Sequence, residues 1–470
     1  MTLTLDHSLL WFYLLYIFLV IPAVIHMLYQ RRSPQNLMAW TLMLILFPFF
    51  GALLYFVFGS RKFFKESRKP ILEMATFSTA EPSNRLAKQL DNLLGANQIS
   101  GATYGNHVHW YHDSTTIFDC LMTEIQNAKT CIHIQTYTFA PDQTGLSILD
   151  ALILKAQQGV EVRLLIDSIG SLPLYLNRSR LKKLRQAGGQ YAFFNPIFQS
   201  LINSQINFRN HRKIYLFDQT KLLTGGINLA SAYMGHKSHK KSDDSKAWVD
   251  LLFSIEGPST LHYQKVFNDD WFYMTEERLT LPPHSSESPI HNDGVIQAIP
   301  SGPDIQDNAL FEAMLHSINQ AQTHIRLATP YFIPDSAILK ALVIAVKRGV
   351  KVTLITPESS DHIIFDLGRS SYMQEFSEIG GQIFCYQPSM LHAKLTIIDQ
   401  EVMVVGSANL DYRSLFINHE MVNFVYSPSL IKELSDWFDG LLTDSTSYQP
   451  NGNKVRRVFE NLMRLFAPIL

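Results

Sequence analysis

Residues 211–218 read HRKIYLFD, and residues 392–399 read HAKLTIID. A histidine, a lysine and an aspartate thus occur twice at identical offsets: His211, Lys213 and Asp218, then His392, Lys394 and Asp399. In each copy an asparagine follows seventeen residues after the histidine, Asn228 in GGIN and Asn409 in GSAN. One imidazole can attack phosphorus while a second protonates the leaving oxygen. Lysine and asparagine can donate hydrogen bonds to non-bridging phosphate oxygens, where transition-state charge must be stabilised. The set suits phosphoryl transfer, and two histidines suit one site built from both copies.

Strands must carry these residues. HRKIYLF is β-branched and aromatic, and residues two apart on a strand share a face, so His211 and Lys213 point the same way, as do His392 and Lys394. Asp218 and Asp399 stand where a turn begins, ahead of a second apolar run. A hairpin with Gln219-Thr220 or Gln400-Glu401 as its two loop residues sets His211 opposite Asn228 and His392 opposite Asn409, with Cβ atoms ~5 Å apart. Lys213 then faces Gly226 and Lys394 faces Ser407, small residues that leave room for a ligand. Each histidine also needs an orienting acid, and the candidates are Asp250 in WVDLLFS and Glu420 in NHEMVNF.

The repetition extends beyond the motifs. AKTCIHIQTYTFAPD from Ala128 parallels AQTHIRLATPYFIPD from Ala321, and ILDALILKAQQGVEVRLLI from Ile148 parallels ILKALVIAVKRGVKVTLIT from Ile338. Apolar runs alternating with helices of 3.6-residue periodicity make each half an α/β layered domain. Extra residues in the first half lie near Ile197 to Asn207, either a substrate-facing loop or a surface insertion, and at 235–245 around GHKSHKKSDDS.

The 470 residues allow two or three domains. A formal net charge of −1 argues against a dedicated nucleic-acid binder. Three cysteines without CxxC spacing argue against a disulfide framework. Ser8–Tyr29 and Leu37–Gly59 are free of Asp, Glu, Lys and Arg, and each is long enough to span ~30 Å of hydrocarbon as a helix. They predict a transmembrane or re-entrant hairpin joined through Arg31 and Arg32. Arg61, Lys62, Lys65, Arg68 and Lys69 beyond it place the rest of the chain in the cytoplasm, although the two loop arginines oppose that orientation.

Two HxKxxxxD motifs with trailing G-G/S-x-N are the signature of the phospholipase D superfamily. With two N-terminal hydrophobic segments, TPYFIPD, IPSGPD, GSANLDYRS and a C-terminal RLFAPIL, the chain resembles the bacterial cardiolipin synthases of that superfamily over nearly its whole length. The resemblance implies two tandem phospholipase D-like α/β sandwich domains related by internal duplication, preceded by a hydrophobic helical hairpin. The corresponding segments are a hairpin (1–60), a linker (61–105), domain one (106–285), domain two (286–445) and a C-terminal amphipathic segment (446–470).

It further implies that two phosphatidylglycerols are joined into cardiolipin with release of glycerol, through a phosphatidyl-histidine and without metal or cofactor. His211 is then the nucleophile, His392 acid and then base, with Lys213, Asp218, Lys394 and Asp399 completing the catalytic set. Asn228 and Asn409 join the lysines as phosphate ligands. One departure is local: the family's tryptophan-arginine-aspartate reads Trp248-Val249-Asp250. The partners implied are phosphatidylglycerol and membrane lipids in a bacterial inner membrane, with no nucleic acid; nothing in the sequence sets the oligomeric state.

The motifs alone equally admit a hydrolase that uses the same first half-reaction, and an inactive lipid-binding scaffold is the remaining alternative. His107 and His109 fit strand alternation better than metal ligation, and His236 and His239 fit a solvated loop. The tail KVRRVFENLMRLFAPIL suits either a membrane surface or packing on the core.

Overall fold

A computed structural model describes residues 7–29, 34–55, 69–72, 84–203, 205–235, 247–280, 294–305, 307–450 and 454–464. The Arg31–Arg32 connection, the basic residues 61–68, His236 and His239, the boundary at 285/286 and residues 465–470 lie outside these. The chain divides into two compact units. One holds the described residues before 69 together with 196–207; the other comprises 69–195 and 208–470.

In the first unit, α1 (His7–Tyr29) is a 23-residue helix without Asp, Glu, Lys or Arg. The second apolar segment is not one helix. It divides into α2 (Pro34–Leu46) and α3 (Pro48–Leu54) at Phe47, because Pro48 lacks an amide hydrogen and disfavours helical geometry in the residue before it. Among residues whose side chains are described, no helix is long and apolar enough to cross a membrane. In α1 that continuous stretch runs from 14 to 29. Ala23, Met27, Leu44, Ala52 and Tyr55 form the small core of this unit.

The second unit is built on a sheet of fifteen strands among the described residues. The first half supplies β1 (Thr103–Tyr111), β2 (Cys131–Thr136), β3 (Glu161–Asp167), β4 (Gln190–Phe194), β5 (Ile214–Phe217), β6 (Lys221–Gly225) and β7 (Leu252–Glu256). The second supplies β8 (Gly294–Ser301), β9 (His324–Ala328), β10 (Lys351–Pro357), β11 (Gln382–Tyr386), β12 (Leu395–Ile398), β13 (Val402–Gly406) and β14 (Glu420–Val425), with β15 (Ser445–Ser447) at one edge. The order is β15-β11-β10-β9-β12-β13-β14-β8-β1-β7-β6-β5-β2-β3-β4. Read outward from the β8–β1 junction, the two halves have the same strand order, so the duplicated sequence becomes a duplicated half-sheet. The halves pair antiparallel through β1 and β8.

Helices cover the sheet where the repeat requires them. Asp142 and Asp335, the last residues of APD and IPD, cap helices Gln143–Gln157 and Ser336–Lys347 through the Gly145 and Ala337 amides. Ile148, Leu149, Leu152 and Ala156 bury one face of the first of these.

The stretch expected to be a linker is partly core. Within it α4 (Arg85–Ala96) buries Leu86, Leu90 and Leu94 against the second half, each worth about 2 kcal/mol, and Asn97 donates to Glu312 at 2.8 Å. The 445/446 boundary also moves, since β15 crosses it and pairs with β11. The C-terminal helix Lys454–Met463 packs on helix Ile363–Glu378, with Asn461 on Ser371 and Arg457 on Glu378.

The hairpin register differs from expectation by one residue. Ile214 pairs with Thr224 and Phe217 with Lys221; Leu395 pairs with Val405 and Ile398 with Val402. Three residues therefore join the strands of each hairpin, Asp218–Thr220 and Asp399–Glu401, and the first two of each have positive φ, as the central residues of a type I′ turn demand. Aspartate tolerates that conformation.

Candidate active site

Neither motif histidine lies in a strand: β5 begins at Ile214 and β12 at Leu395. The chain just before each strand is bound to the opposite half at the histidine. The His211 amide donates to the His419 carbonyl at 2.8 Å, and the His392 amide donates to the Val249 carbonyl at 2.7 Å. Asn210–His419 and Val249–Leu391 are isolated parallel bridges. Each motif is thus held by the segment that leads into the other half's acid.

The orienting pairs cross between halves as a result. His392 Nδ1 lies 2.6 Å from Asp250 Oδ2, and His211 Nδ1 lies 3.6 Å from Glu420 Oε1. Both carboxylates are fully buried. No spacing within one copy reveals this exchange, because it depends on how the halves meet. The small residues expected opposite the lysines have another purpose than making room for ligand. A Cβ on Gly226 would lie 2.3 Å from Asp250 Oδ1, so glycine there admits the carboxylate. At the equivalent place Ser407 donates to Glu420 Oε2 at 2.5 Å.

Lys394 Nζ lies 2.6 Å from His392 Nδ1 and 3.1 Å from Nε2, and also contacts the His392 carbonyl. Lys213 Nζ donates to the His211 carbonyl at 2.8 Å. An ammonium can only donate and a carboxylate only accept, so Nδ1–H of His392 donates to Asp250 and the unprotonated Nε2 is left for chemistry.

Burial, with Lys394 and Lys213 nearby, lowers the His392 pKa to about 4 despite Asp250. Burial and the cations Lys213, Arg413, Lys394 and Arg209 hold His211 well below the usual imidazole range. Burial brings Lys394 down to about 8, and it raises Glu420 to about 7 against the pull of Lys213. Each motif's lysine bears on the other motif's histidine, so the two copies form one electrostatic site.

Asn228 accepts from the Thr138 amide at 3.2 Å and donates to the Tyr233 hydroxyl at 2.9 Å, and that hydroxyl lies 3.5 Å from His392 Nε2. Asn409 Oδ1 is buried without a partner among the described residues. Three aromatic residues belong to the site although their types alone gave no signal. The Tyr137 ring stacks on His211 at 3.9 Å between centroids, while Tyr233 and Trp248 pack around His392 at 5.2 and 5.4 Å. Tyr137 stands where the second copy has Pro330, so the repeat gave no signal for it.

Asp218 and Asp399 do not join this group. Asp218 sits at the far turn and accepts from the Lys129, Thr130 and Cys131 amides and the Thr130 hydroxyl. Asp399 does the same with Gln322, Thr323 and His324. The motif aspartates clamp the hairpin turn to the start of β2 or β9; they touch neither histidine. His107 and His109 are both exposed on β1, as alternation requires.

The fold, with two half-sheets joined edge to edge and a histidine and a lysine at the start of a strand in each, is that of a two-motif phospholipase D-like protein. A crystal structure of phosphatidylserine synthase from Haemophilus influenzae Rd KW20 shares it, with a TM-score of 0.58 and 14% identity over 82% of this chain and 98% of that one.

Family assignment is sharper. Residues 121–271 and 314–442 match the family described as cardiolipin synthase, PLD-like domain, and residues 18–60 match the phospholipase D-nuclease N-terminal family. The cardiolipin synthase of Clostridium perfringens is 32% identical, covering 94% of this chain and 95% of its own. Cardiolipin synthase 1 of Bacillus cereus is 31% identical, covering 94% and 90%. The chain belongs to the cardiolipin synthase family of the phospholipase D superfamily, and is a phosphatidyltransferase acting on phospholipid.

Proposed function

We propose that the chain transfers the phosphatidyl group of one phosphatidylglycerol to the free hydroxyl of another, giving cardiolipin and glycerol through a phosphohistidine. The observation that carries this mechanism is the crossed pairing of His211 with Glu420 and His392 with Asp250. His211, neutral and about a fifth exposed, attacks phosphorus through Nε2. A P–N bond forms, the P–O bond to the departing glycerol breaks, and His392 Nε2 gives that oxygen a proton. The incoming glycerol hydroxyl then loses its proton to His392 as its oxygen displaces His211.

Two ammonium groups, Lys213 and Lys394, disfavour a third cation beside them. The anionic phosphodiester offsets them, allowing His392 to hold the proton it must deliver. Lys213, Lys394, Asn228 and Asn409 surround the non-bridging oxygens.

Membrane association fits the first unit. There α1 and α2 expose Trp11, Phe18, Ile25 and Met38, while helix Ile197–Ile202 exposes Phe198 and Ile202. The basic cluster after the hairpin supports a catalytic unit on the cytoplasmic face of a bacterial inner membrane.

Detergent-solubilised protein supplied with headgroup-labelled and acyl-labelled phosphatidylglycerol tests the reaction. Cardiolipin with equimolar glycerol is expected; phosphatidic acid as the main product would make the protein a hydrolase.

A further inference from the structure

The two motifs differ at their middle residue, Arg212 in the first and Ala393 in the second. Both are fully buried. The Arg212 guanidinium donates to Asp270 at 3.0 Å and to Asp304 at 3.0 and 3.1 Å. Lys69, the first residue of the second unit, places its ammonium 2.5 Å from Asp270 and 2.6 Å from Asp304.

Two cations and two carboxylates, all out of solvent, form a charge-balanced quartet. Three bonds tie it to the first motif. Arg212 Nε donates to the Glu420 carbonyl at 3.2 Å, Asp304 meets His419 Nδ1 at 2.9 Å, and Asp270 accepts from Asn210 at 3.0 Å. His419 in turn accepts the His211 amide, and Glu420 faces the His211 imidazole. The second motif has no counterpart, since Ala393 carries no charge. Stability alone does not require such an arrangement, because apolar residues of similar volume often serve as well.

We infer that the Lys69–Asp270–Arg212–Asp304 quartet is a positioning device for His211 and Glu420, and that Lys69 makes the chain emerging from the N-terminal unit part of it. The inference rests on the reading of His211 and Glu420 as a working pair. Lys69 touches no reacting atom; it fixes the two carboxylates that hold Arg212, which fixes the strand entry carrying Glu420. A misplacement of ~1 Å there is enough to slow transfer roughly 10²-fold.

Removing the Lys69 charge also has a signature that loss of packing lacks. His419 is held below its ordinary pKa by burial and by the Arg212 and Lys69 charges, against the pull of Asp304. Its ring otherwise meets the edge of Phe194 at 5.1 Å, and its neighbour Glu420 is turned toward Ser407 and His211. Without Lys69 the quartet is left net negative, and His419 takes up a proton more readily. A protonated His419 then restores the balance, and the restoration fades as pH rises through its new, higher pKa.

The experiment compares full-length wild type, Lys69→Met, Lys69→Arg and the charge-balanced double variant Lys69→Met/Asp270→Asn in detergent with phosphatidylglycerol. Phosphohistidine formation, kcat, KM and the pH profile are followed, with thermal unfolding as the control for folding. Lys69→Met is expected to lose 10- to 100-fold in the rate of phosphohistidine formation with KM within twofold. Its relative activity should be highest at acidic pH, and Lys69→Arg should recover most of the rate. If Lys69→Met does not fold, the double variant carries the test, and it should fold yet stay slow.

Wild-type rates and pH profile in Lys69→Met, or full rate in the double variant, would overturn the inference. A wild type that makes no phosphohistidine would instead overturn the mechanism on which it rests.

Discussion

The two motif copies are nearly identical in sequence and unequal in surroundings. His392 is gripped: Asp250 at 2.6 Å, Lys394 against its ring, and Tyr233 and Trp248 around it. His211 is stacked on Tyr137, stands 3.6 Å from the longer Glu420 side chain, and is the more exposed of the two. A tightly held imidazole with a buried carboxylate on Nδ1 suits proton transfer. A neutral, more accessible one, kept unprotonated by burial and by surrounding cations, suits attack on phosphorus. Duplication supplied two equivalent groups, and the difference between aspartate with glycine and glutamate with serine separates their roles.

The deepest cut removes either histidine. His211→Ala and His392→Ala should each nearly abolish turnover, with the double variant little worse, as for residues acting as one unit. Half the activity in either single variant, measured as cardiolipin per enzyme, would mean two independent sites. Next comes the grip on His392: Asp250→Asn should lower kcat by about 10²- to 10⁴-fold while leaving phosphatidylglycerol KM nearly unchanged.

Glu420→Gln sharpens the comparison through pH. Burial lifts Glu420 to about 7. The site's ability to hold a proton on His211 Nδ1 by an ionised partner therefore rises with pH across neutrality. Wild-type turnover should climb between about pH 6 and 8 by this group, and Glu420→Gln should flatten that limb with a loss of roughly tenfold. The stability sign is opposite. A carboxyl whose folded pKa is raised contributes stability below its unfolded value and loses it as pH rises through about 7. Glu420→Gln should then unfold at higher temperature than wild type at pH 8 and show little difference at pH 5. An unaltered pH profile would remove Glu420 from the His211 pair.

The smallest effect on chemistry belongs to the motif aspartates. Asp218→Asn or Asp399→Asn should cost about 2 kcal/mol of stability through lost turn hydrogen bonds and leave turnover per folded molecule within a few-fold. A specific activity down a hundredfold at unchanged unfolding temperature would return them to catalysis.

What the sequence reveals here follows from what repeats. The duplicated strings at 128 and 321, and at 148 and 338, predict the half-sheets, which are present; HxK followed by GGIN or GSAN predicts a shared site, a reading the crossed contacts of His211 and His392 support. The hairpin register erred because aspartate itself enters the turn with positive φ, which a two-residue loop counted from Gln219 does not allow. The aspartates were assigned to catalysis because the motif links them to the histidines in sequence, although strand geometry carries them to the opposite end of the hairpin.

The exchange of Asp250 and Glu420 between halves, the stacking of Tyr137 and the Lys69 quartet were not legible. Each is a contact between distant segments with no periodic signature. Likewise α4 was hidden in a polar stretch whose few leucines fall on one helical face.

The central claim is one site with unequal histidines, and trapping the intermediate tests it most directly. His392→Ala, incubated with phosphatidylglycerol labelled in its phosphate and quenched without acid, should accumulate label on the peptide containing Asn210 to Lys213. Formation is slowed by loss of the acid, and breakdown is slowed by loss of the base. Label found instead in His211→Ala, on the peptide spanning Leu391 to Lys394, would contradict the assignment drawn from the two environments.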